Sequence, residues 1–516
     1  MHATAECNAA ATADSNAVAD FALDACRVSG GAAVSSAARI AKLATTFMSR
    51  FGTSRAEGGN VRSFNLPVIM ALAARVAAAE PADQPPPDPV PQDQVSGVVV
   101  DDDDSSAGRE VGRVALFPIR VTTAIVVAPF RGAAWVFERY QLRERLEQLF
   151  LSDDQTYGIY PTAFAETGLG FNVGAHAFDK NLFGHGEHLT LEAGFGGEFK
   201  QRYETAFTTG PLLGGTKLGI SYSYRAWDRS NFFGIGNGDQ TAATMSPAPL
   251  DEAVHTRFAQ DAQHVELTSA TPIVGPLKAG LLGAYTYRTF NTDADLEGYA
   301  PILSVYDPMS LVGFEHGAEN LYGEADVVLD TRSVANRYIS KAATSSGWYG
   351  RAAVGFAQGV NGDPSHYARY TADLRRYFDL FNGDRVLVAR AYLEGVTAPL
   401  DAIPFTDLPR LGGADLLRGF AEDRFRDRVA ALGSLEYDFP LQTWVGAYTF
   451  VDAGRVANDI GSLDPNGLHV GYGGGLEIHT HDAFLIRLQA AHSTDGTFLR
   501  LALDPTYDTH TEQRRL

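Results

Sequence analysis

From about Phe164 to Leu503 the chain is written with a period of two. In EHLTLEAGF, Leu189, Leu191, Ala193 and Phe195 share one face while Thr190 and Glu192 share the other. RVLVARAYLEG sets Leu387, Ala389, Ala391 and Leu393 against Val388, Arg390, Tyr392 and Glu394. SLEYDF opposes Leu435, Tyr437 and Phe439 to Ser434, Glu436 and Asp438, and FLIRLQA opposes Phe484, Ile486 and Leu488 to Arg487 and Gln489. Successive side chains of a strand point to opposite sides, so this is the pattern of strands with one apolar and one polar face. Strands are expected near 164–177, 187–198, 200–209, 216–227, 262–271, 277–290, 319–330, 347–358, 366–376 and 384–397. Five more follow near 428–438, 444–454, 467–478, 484–493 and 497–503.

Two architectures accept such strands. A soluble sandwich turns its apolar faces inward, whereas a membrane barrel turns them to lipid and keeps polar groups in its lumen. Charges in mid-strand, such as Glu192, Arg390, Glu394 and Arg487, fit the lumen better than a sandwich face. No window holds the roughly 18 uninterrupted apolar residues of a helical span. A closed barrel is then the way for every backbone polar group to be satisfied in lipid. The expected fold is therefore an all-β, antiparallel transmembrane barrel over 157–503, with outer-membrane lipid around it. Its formal charge of -20 argues against nucleic acid as a partner, since phosphate binding needs a clustered basic surface.

The segments before the barrel read differently. Residues 1–80 are of low complexity until Arg50, Arg55 and Arg62 precede FNLPVIMALAARVAAAE, a positive region, a short apolar region and small residues at the end. That order is the secretory signal at about 48–79, with cleavage expected after Ala79 and a start near Met48, although Pro67 and Arg75 interrupt it. The other reading is a soluble N-terminal arm. Pro81 to Gly108, with its prolines and DDDD run, is a linker. In 109–156, Trp135, Tyr140, Leu142, Leu146 and Leu149 fall near one side of an amphipathic helix. Residues 504–516 form a tail beyond TDGTFLRL, whose Gly496, Leu499 and Leu501 have the spacing of a C-terminal outer-membrane assembly signal.

RLGGADLLRGF, then LGSLEYDFPL, then TFVDAGRV carry a more specific message. Together they resemble the C-terminal barrel of the bacterial surface antigen superfamily. This superfamily comprises the barrel-assembly insertases, the translocation-and-assembly modules of the BamA/TamA type and the two-partner secretion transporters. NFFGIGN at Asn231–Asn237 also looks like a phrase of that family. The resemblance implies sixteen strands, five of them after a long extracellular loop that folds into the lumen with Arg418-Gly419-Phe420 at its tip. With ten strands read before the loop, the eleventh is expected within 228–262 or 291–318. The resemblance also implies Asp452, in Phe450-Val451-Asp452-Ala453-Gly454, as the partner of Arg418.

Alternation adds Glu436 and Glu477 to the same lumenal wall. A guanidinium, a permanent cation with five donors in a rigid fork, suits a clamp onto carboxylates. Gly412, Gly413 and Gly419 let the loop turn tightly. Members that move proteins usually carry POTRA domains of about 75 residues before the barrel. Residues 109–156 are too few for one, so a separate periplasmic partner is expected to supply a substrate-receiving domain.

Three functions compete. The first is outer-membrane protein or lipid assembly or translocation, with no catalytic residue and no cofactor. The second is a passive or structural pore whose acidic lumen favours cations. The third is an enzyme, for which His479-x-His481 offers a metal pair on one strand face, although histidines at a strand end are commonly turn residues. No G-x-S-x-G or comparable nucleophile signature supports catalysis.

Overall fold

The computed structural model describes residues 150–152, 156–333, 344–380, 385–442, 445–479 and 484–503. The signal region, the linker, most of the 109–156 segment, the 504–516 tail and His481 lie outside the described residues. The chain divides into two units, one of residues 1–158 with Asn181–His185 and one of Ile159–Lys180 with Gly186 onward. In the first, Leu151 forms an antiparallel bridge with Gly158. The second is the barrel.

Its strands are β1 (Tyr157–Glu166), β2 (Gly170–Asp179), β3 (His188–Gly196), β4 (Phe199–Thr208), β5 (Lys217–Phe232), β6 (Thr256–Val274), β7 (Leu277–Asn291) and β8 (Ala318–Asp330). They continue with β9 (Gly347–Gly359), β10 (His366–Asp379), β11 (Val386–Thr397), β12 (Val429–Gln442), β13 (Val445–Ala457), β14 (His469–His479), β15 (Phe484–Ser493) and β16 (Gly496–Leu503). Each pairs with the next, and β1 closes on β16 from Ala163↔Leu503 to Glu166↔Arg500, all antiparallel. Closure pairs the two terminal strands with each other, as a barrel in a bilayer requires. Among the described residues no helix is long and apolar enough to cross a membrane.

The sixteenth strand is not where the sequence pointed. The stretch 164–177 holds the end of β1 and most of β2, with a turn at Thr167–Leu169. Gly168 (φ 85) and Gly170 (φ 91) adopt left-handed backbone there. Ala163, Ala165, Leu169, Phe171 and Val173 keep the even spacing through the turn, so alternation alone cannot see the chain reverse. In 228–262, β5 and β6 simply run longer than their apolar pattern. The 292–317 loop contributes only Ala300–Pro301, which pairs in parallel with Thr256–Arg257.

Burial follows the inverted order of a barrel in lipid. On β9, Val354 (63%) and Phe356 (52%) are exposed while Arg351 on the other face is buried. Arg351 donates from Nε to Asp326 at 3.0 Å and also pairs with Glu324. The four mid-strand charges all find opposite charges inside. Glu192 meets Arg202 at 3.2 Å, Arg390 meets Asp373 at 2.8 Å, Glu394 meets Arg369, and Arg487 meets Glu477 at 3.1 Å.

Strand direction places the loops after odd-numbered strands at one rim, including 233–255, 292–317 and 398–428. Phe232, Val254, Phe258, Ile302, Tyr306, Phe314 and Phe405 pack there into one buried cluster, joining the ends of β5 and β6 to all three of these loops.

Candidate functional site

The 398–428 loop leaves β11, makes short 3-10 turns at Leu400–Ala402 and Phe405–Asp407, and then becomes a small hairpin. Arg410–Leu411 pairs antiparallel with Phe425–Arg426. Its tip turns through Gly412 (φ 117), Gly413 (φ 92), Leu417 (φ 61) and Gly419 (φ 95). The leucine is the unexpected member of that set, because a Cβ strains left-handed backbone. It immediately precedes Arg418 and is fully buried, with its side chain packed beside Leu416, Phe420 and Phe425.

Arg418 reaches two inward-facing rungs of the β12–β13 pair, where Ser434 lies opposite Asp452 and Glu436 opposite Phe450. Its Nε donates to Asp452 Oδ2 at 2.8 Å, its Nη2 to Asp452 Oδ1 at 2.9 Å, and its backbone N–H to Oδ2 at 2.9 Å. Nη1 donates to Glu436 and Nη2 to Ser434 Oγ at 3.2 Å. The guanidinium carbon stands 3.5 Å from the Phe450 ring centroid, so the aromatic residue of the Phe-x-Asp-x-Gly segment is the floor beneath the cation. Burial alone would push the guanidinium down, but Glu436 and Asp452 outweigh it and hold it above its ordinary range.

Other sequence candidates have different tasks. Gly419 lies so close to His492 that a Cβ would approach its carbonyl oxygen to 2.9 Å, and Ser493 Oγ donates to the Gly419 carbonyl. Phe420 is buried with Leu411, Leu432 and Val456. Gly454 leaves room for Leu411, whose Cδ1 would stand 3.1 Å from an added Cβ.

Glu477 is a correction: Arg418 does not bind it. Its register partner across β14–β15 is Arg487, which takes it at 3.1 Å. Alternation fixed the face of Glu477, but the nearest cation decided its partner. Asn231–Asn237 proves to be a docking segment for the loop. Gly236 N–H donates to Arg426 O at 2.7 Å, and Asn237 exchanges two hydrogen bonds with the Val456 backbone, at 2.7 and 3.0 Å.

A second anchor went unread in the sequence. Asp407, on the ascending arm, is paired with Arg288 of β7 and receives Tyr367 OH of β10 at 2.8 Å and Asn320 Nδ2 of β8 at 3.4 Å. Arg369 Nη2 donates to its carbonyl oxygen at 2.6 Å. Burial would raise the Asp407 carboxyl, but Arg288 and Arg369 more than offset this and hold it below its usual range.

Arg426 ties the two arms together by donating to Phe405 O at 2.7 Å. Burial, opposed by Asp423, pushes Arg426 down to about 10. The only available signal was an acid beside two prolines in IPFTDLP, too common a pattern to single out.

The loop thus holds a wall of β7, β8 and β10 with an acid, and a wall of β12 and β13 with a base. A cavity of about 560 Å³ remains between it and the wall formed by β1–β7 and β16, lined by Glu166, Arg202, Arg225, Asp423 and Arg500 among others.

The Omp85 superfamily domain matches residues 181–495, which is more than half of the 516-residue chain. The chain belongs to the Omp85 superfamily. This is the direction in which the Arg-Gly-Phe and Phe-x-Asp-x-Gly segments pointed, and it places this Omp85 barrel in the bacterial outer membrane. Among solved structures it is similar to BamA from Haemophilus ducreyi lacking POTRA domains 1-3, with a TM-score of 0.50 and 15% identity over 67% of this chain and 70% of that one. It is also similar to CdiB from Acinetobacter baumannii (TM-score 0.43, 14% identity, 68% and 60% covered) and CdiB from Escherichia coli (0.42, 14%, 67% and 62%). The BamA likeness shows a shared fold. No curated protein matches the chain.

Proposed function

We propose that this Omp85 barrel serves outer-membrane protein or lipid assembly or translocation, with the 398–428 loop as its lumenal plug. The observation that carries the reading is the double anchorage of the loop, through Arg418 on one wall and Asp407 on another. Every contact is non-covalent and most are charge-assisted, so the plug is held firmly and still releasable. The β1–β16 seam supports the same reading. Among the described residues it has four register pairs, against eight between β15 and β16. Beyond them Thr167 N–H donates to Leu499 O at 3.0 Å, and the Thr167 hydroxyl accepts from Leu499 N–H at 2.9 Å in place of the return backbone bond.

No covalent step is required in this role, so no residue is assigned a catalytic part and no cofactor is invoked. A separate periplasmic protein is the proposed source of the substrate-receiving domain. The test pairs two measurements on full-length protein in lipid vesicles and planar bilayers. Small, erratic currents together with faster folding of an added unfolded outer-membrane protein are expected. Large, steady currents without any effect on folding would overturn the proposal and leave a passive pore.

A further inference from the structure

At the rim opposite the long loops, the outer face of β9 and β10 carries a cation with no counter-charge among the described residues. Trp348 and Arg376 are direct register partners, and the guanidinium carbon of Arg376 lies 5.1 Å from the Trp348 ring centroid and 5.0 Å from that of Phe378. Leu374 (47%), Trp348 (42%) and Phe378 (40%) are all exposed, as lipid-facing residues of the barrel are. Arg376 therefore points into the bilayer side of the wall, not into the lumen.

The neighbouring acid does not neutralise it. Asp373 is turned inward, where Arg375 and Arg390 hold it at 2.7 and 2.8 Å. Asp379, at the exposed end of the strand, makes no hydrogen bond or ion pair with Arg376. On its other flank Arg376 is opposite Ala389 of β11, whose methyl group covers little of the guanidinium. Among the described residues no carboxylate or carbonyl accepts a hydrogen bond from Arg376. Ring contacts use the faces of a guanidinium and leave its in-plane N–H donors unspent.

Depth decides what those donors meet. Arg376 is three residues from the end of β10 at Asp379, which at about 3.3 Å per residue and a tilt near 40° is roughly 8 Å along the membrane normal. An arginine near the interface is tolerated far better than one at the midplane, and its stem lets the head snorkel to the headgroups. With the long loops on the extracellular side, as membership of the superfamily implies, the headgroups at this opposite rim are those of glycerophospholipids in the periplasmic leaflet.

We propose that Arg376, backed by Trp348 and Phe378, is a binding site for the phosphate of an anionic glycerophospholipid. A planar fork with free edge donors matches a phosphate diester bidentately, and the aromatic pair fixes its plane. This inference rests on the barrel's place in the outer membrane.

The test reconstitutes the full chain in phosphatidylcholine vesicles with and without phosphatidylglycerol. Lipid retained on the protein is counted by native mass spectrometry, and heat-modifiable migration on gels reports the folded barrel. Wild type is expected to keep phosphatidylglycerol in preference to phosphatidylcholine. Arg376→Gln should retain about fivefold less of it, the factor equivalent to the ~1 kcal/mol of one basic residue at an anionic surface.

Arg376→Lys, which keeps charge without the fork, should fall between the two and decides the matter should the glutamine variant not fold. Retention by Arg376→Gln or Arg376→Lys equal to wild type overturns the site. Displacement of the retained phosphatidylglycerol by added inorganic phosphate would overturn its assignment to lipid. Loss of heat-modifiable migration in wild type would instead indict the barrel reading itself.

Discussion

Asp452 receives Arg418 by backbone and side chain at once: Oδ2 accepts both the Arg418 N–H, at 2.9 Å, and its Nε, at 2.8 Å. One carboxylate therefore fixes the position of the loop's main chain as well as the direction of its guanidinium. Ser434 Oγ, donating to Oδ1 at 2.6 Å, holds that carboxylate in place.

Arg418→Ala leaves Asp452 a buried charge with only a hydroxyl and a bare backbone amide for company. Removing one partner of such a pair costs about 3–5 kcal/mol. Limited proteolysis should show new cleavage near 408–425 while the barrel remains heat-modifiable. Arg418→Lys should not restore protection, because an ammonium cannot reproduce the fork. Unchanged protection in both Arg418→Ala and Asp452→Ala would show that the clamp does not hold the loop.

Asp407→Asn tests the other wall. It keeps the shape of the side chain but leaves Arg288 and Arg369 facing a neutral group. Because Asp407 and Arg418 share no partner, their effects on loop protection should add to within about 0.5 kcal/mol. Steady conductance in planar bilayers is expected from the double variant and not from either single one.

Acid should loosen the rim that carries the long loops. His255 stacks between Phe233 and Tyr299, at 4.1 and 3.8 Å, with its Nε2 3.0 Å from Asn231 Oδ1. Burial, joined by Arg257 and Arg424 and opposed by Asp495, pushes it from 6.5 to about 3. The folded loop thus holds it neutral where a released loop would take up a proton. Its stabilising share is complete above about pH 6.5 and is lost as the pH falls towards 3. Hydrogen exchange in 233–255 and 292–306, corrected for intrinsic rates, should accelerate between pH 7 and pH 4. In His255→Phe that acid-dependent component should vanish.

Gly471→Ala probes the seat of the loop without altering a charge. A Cβ at that position would collide with the Arg418 carbonyl oxygen. Cross-sheet strain of this kind is expected to cost about 1–3 kcal/mol of loop attachment. The readout is the protease sensitivity of 408–425, compared with Gly283→Ala, where no atom lies within 4 Å of the added Cβ.

How much the sequence disclosed followed from what each physical signal can encode. Alternation located the strands because a lipid face and a lumenal face differ in polarity, and it placed Asp452, Glu436 and Glu477 on the inner side. It could not mark the reversal at Thr167–Leu169, where the even spacing survives the turn. Nor could it assign partners: Glu477 was claimed by Arg487 directly across β14–β15. The Arg418 contacts were legible because two separated segments carried them jointly. Asp407 was not, since its four partners come from β7, β8 and β10, far apart in sequence, and no local pattern records such a convergence.

Hydrogen bonding and stagger fix the girth of a sixteen-stranded ring, yet they leave its outline free to flatten. The loop takes hold of β7, β8 and β10 at Asp407, of β12 and β13 at Arg418, and of β15 at Gly419, where Ser493 grips its carbonyl. Counted around the ring, β8 and β15 stand almost diametrically apart. The same segment is therefore a spoke that sets how oval the cylinder is, and any force that dislodges it is felt by the strand next to the closing one.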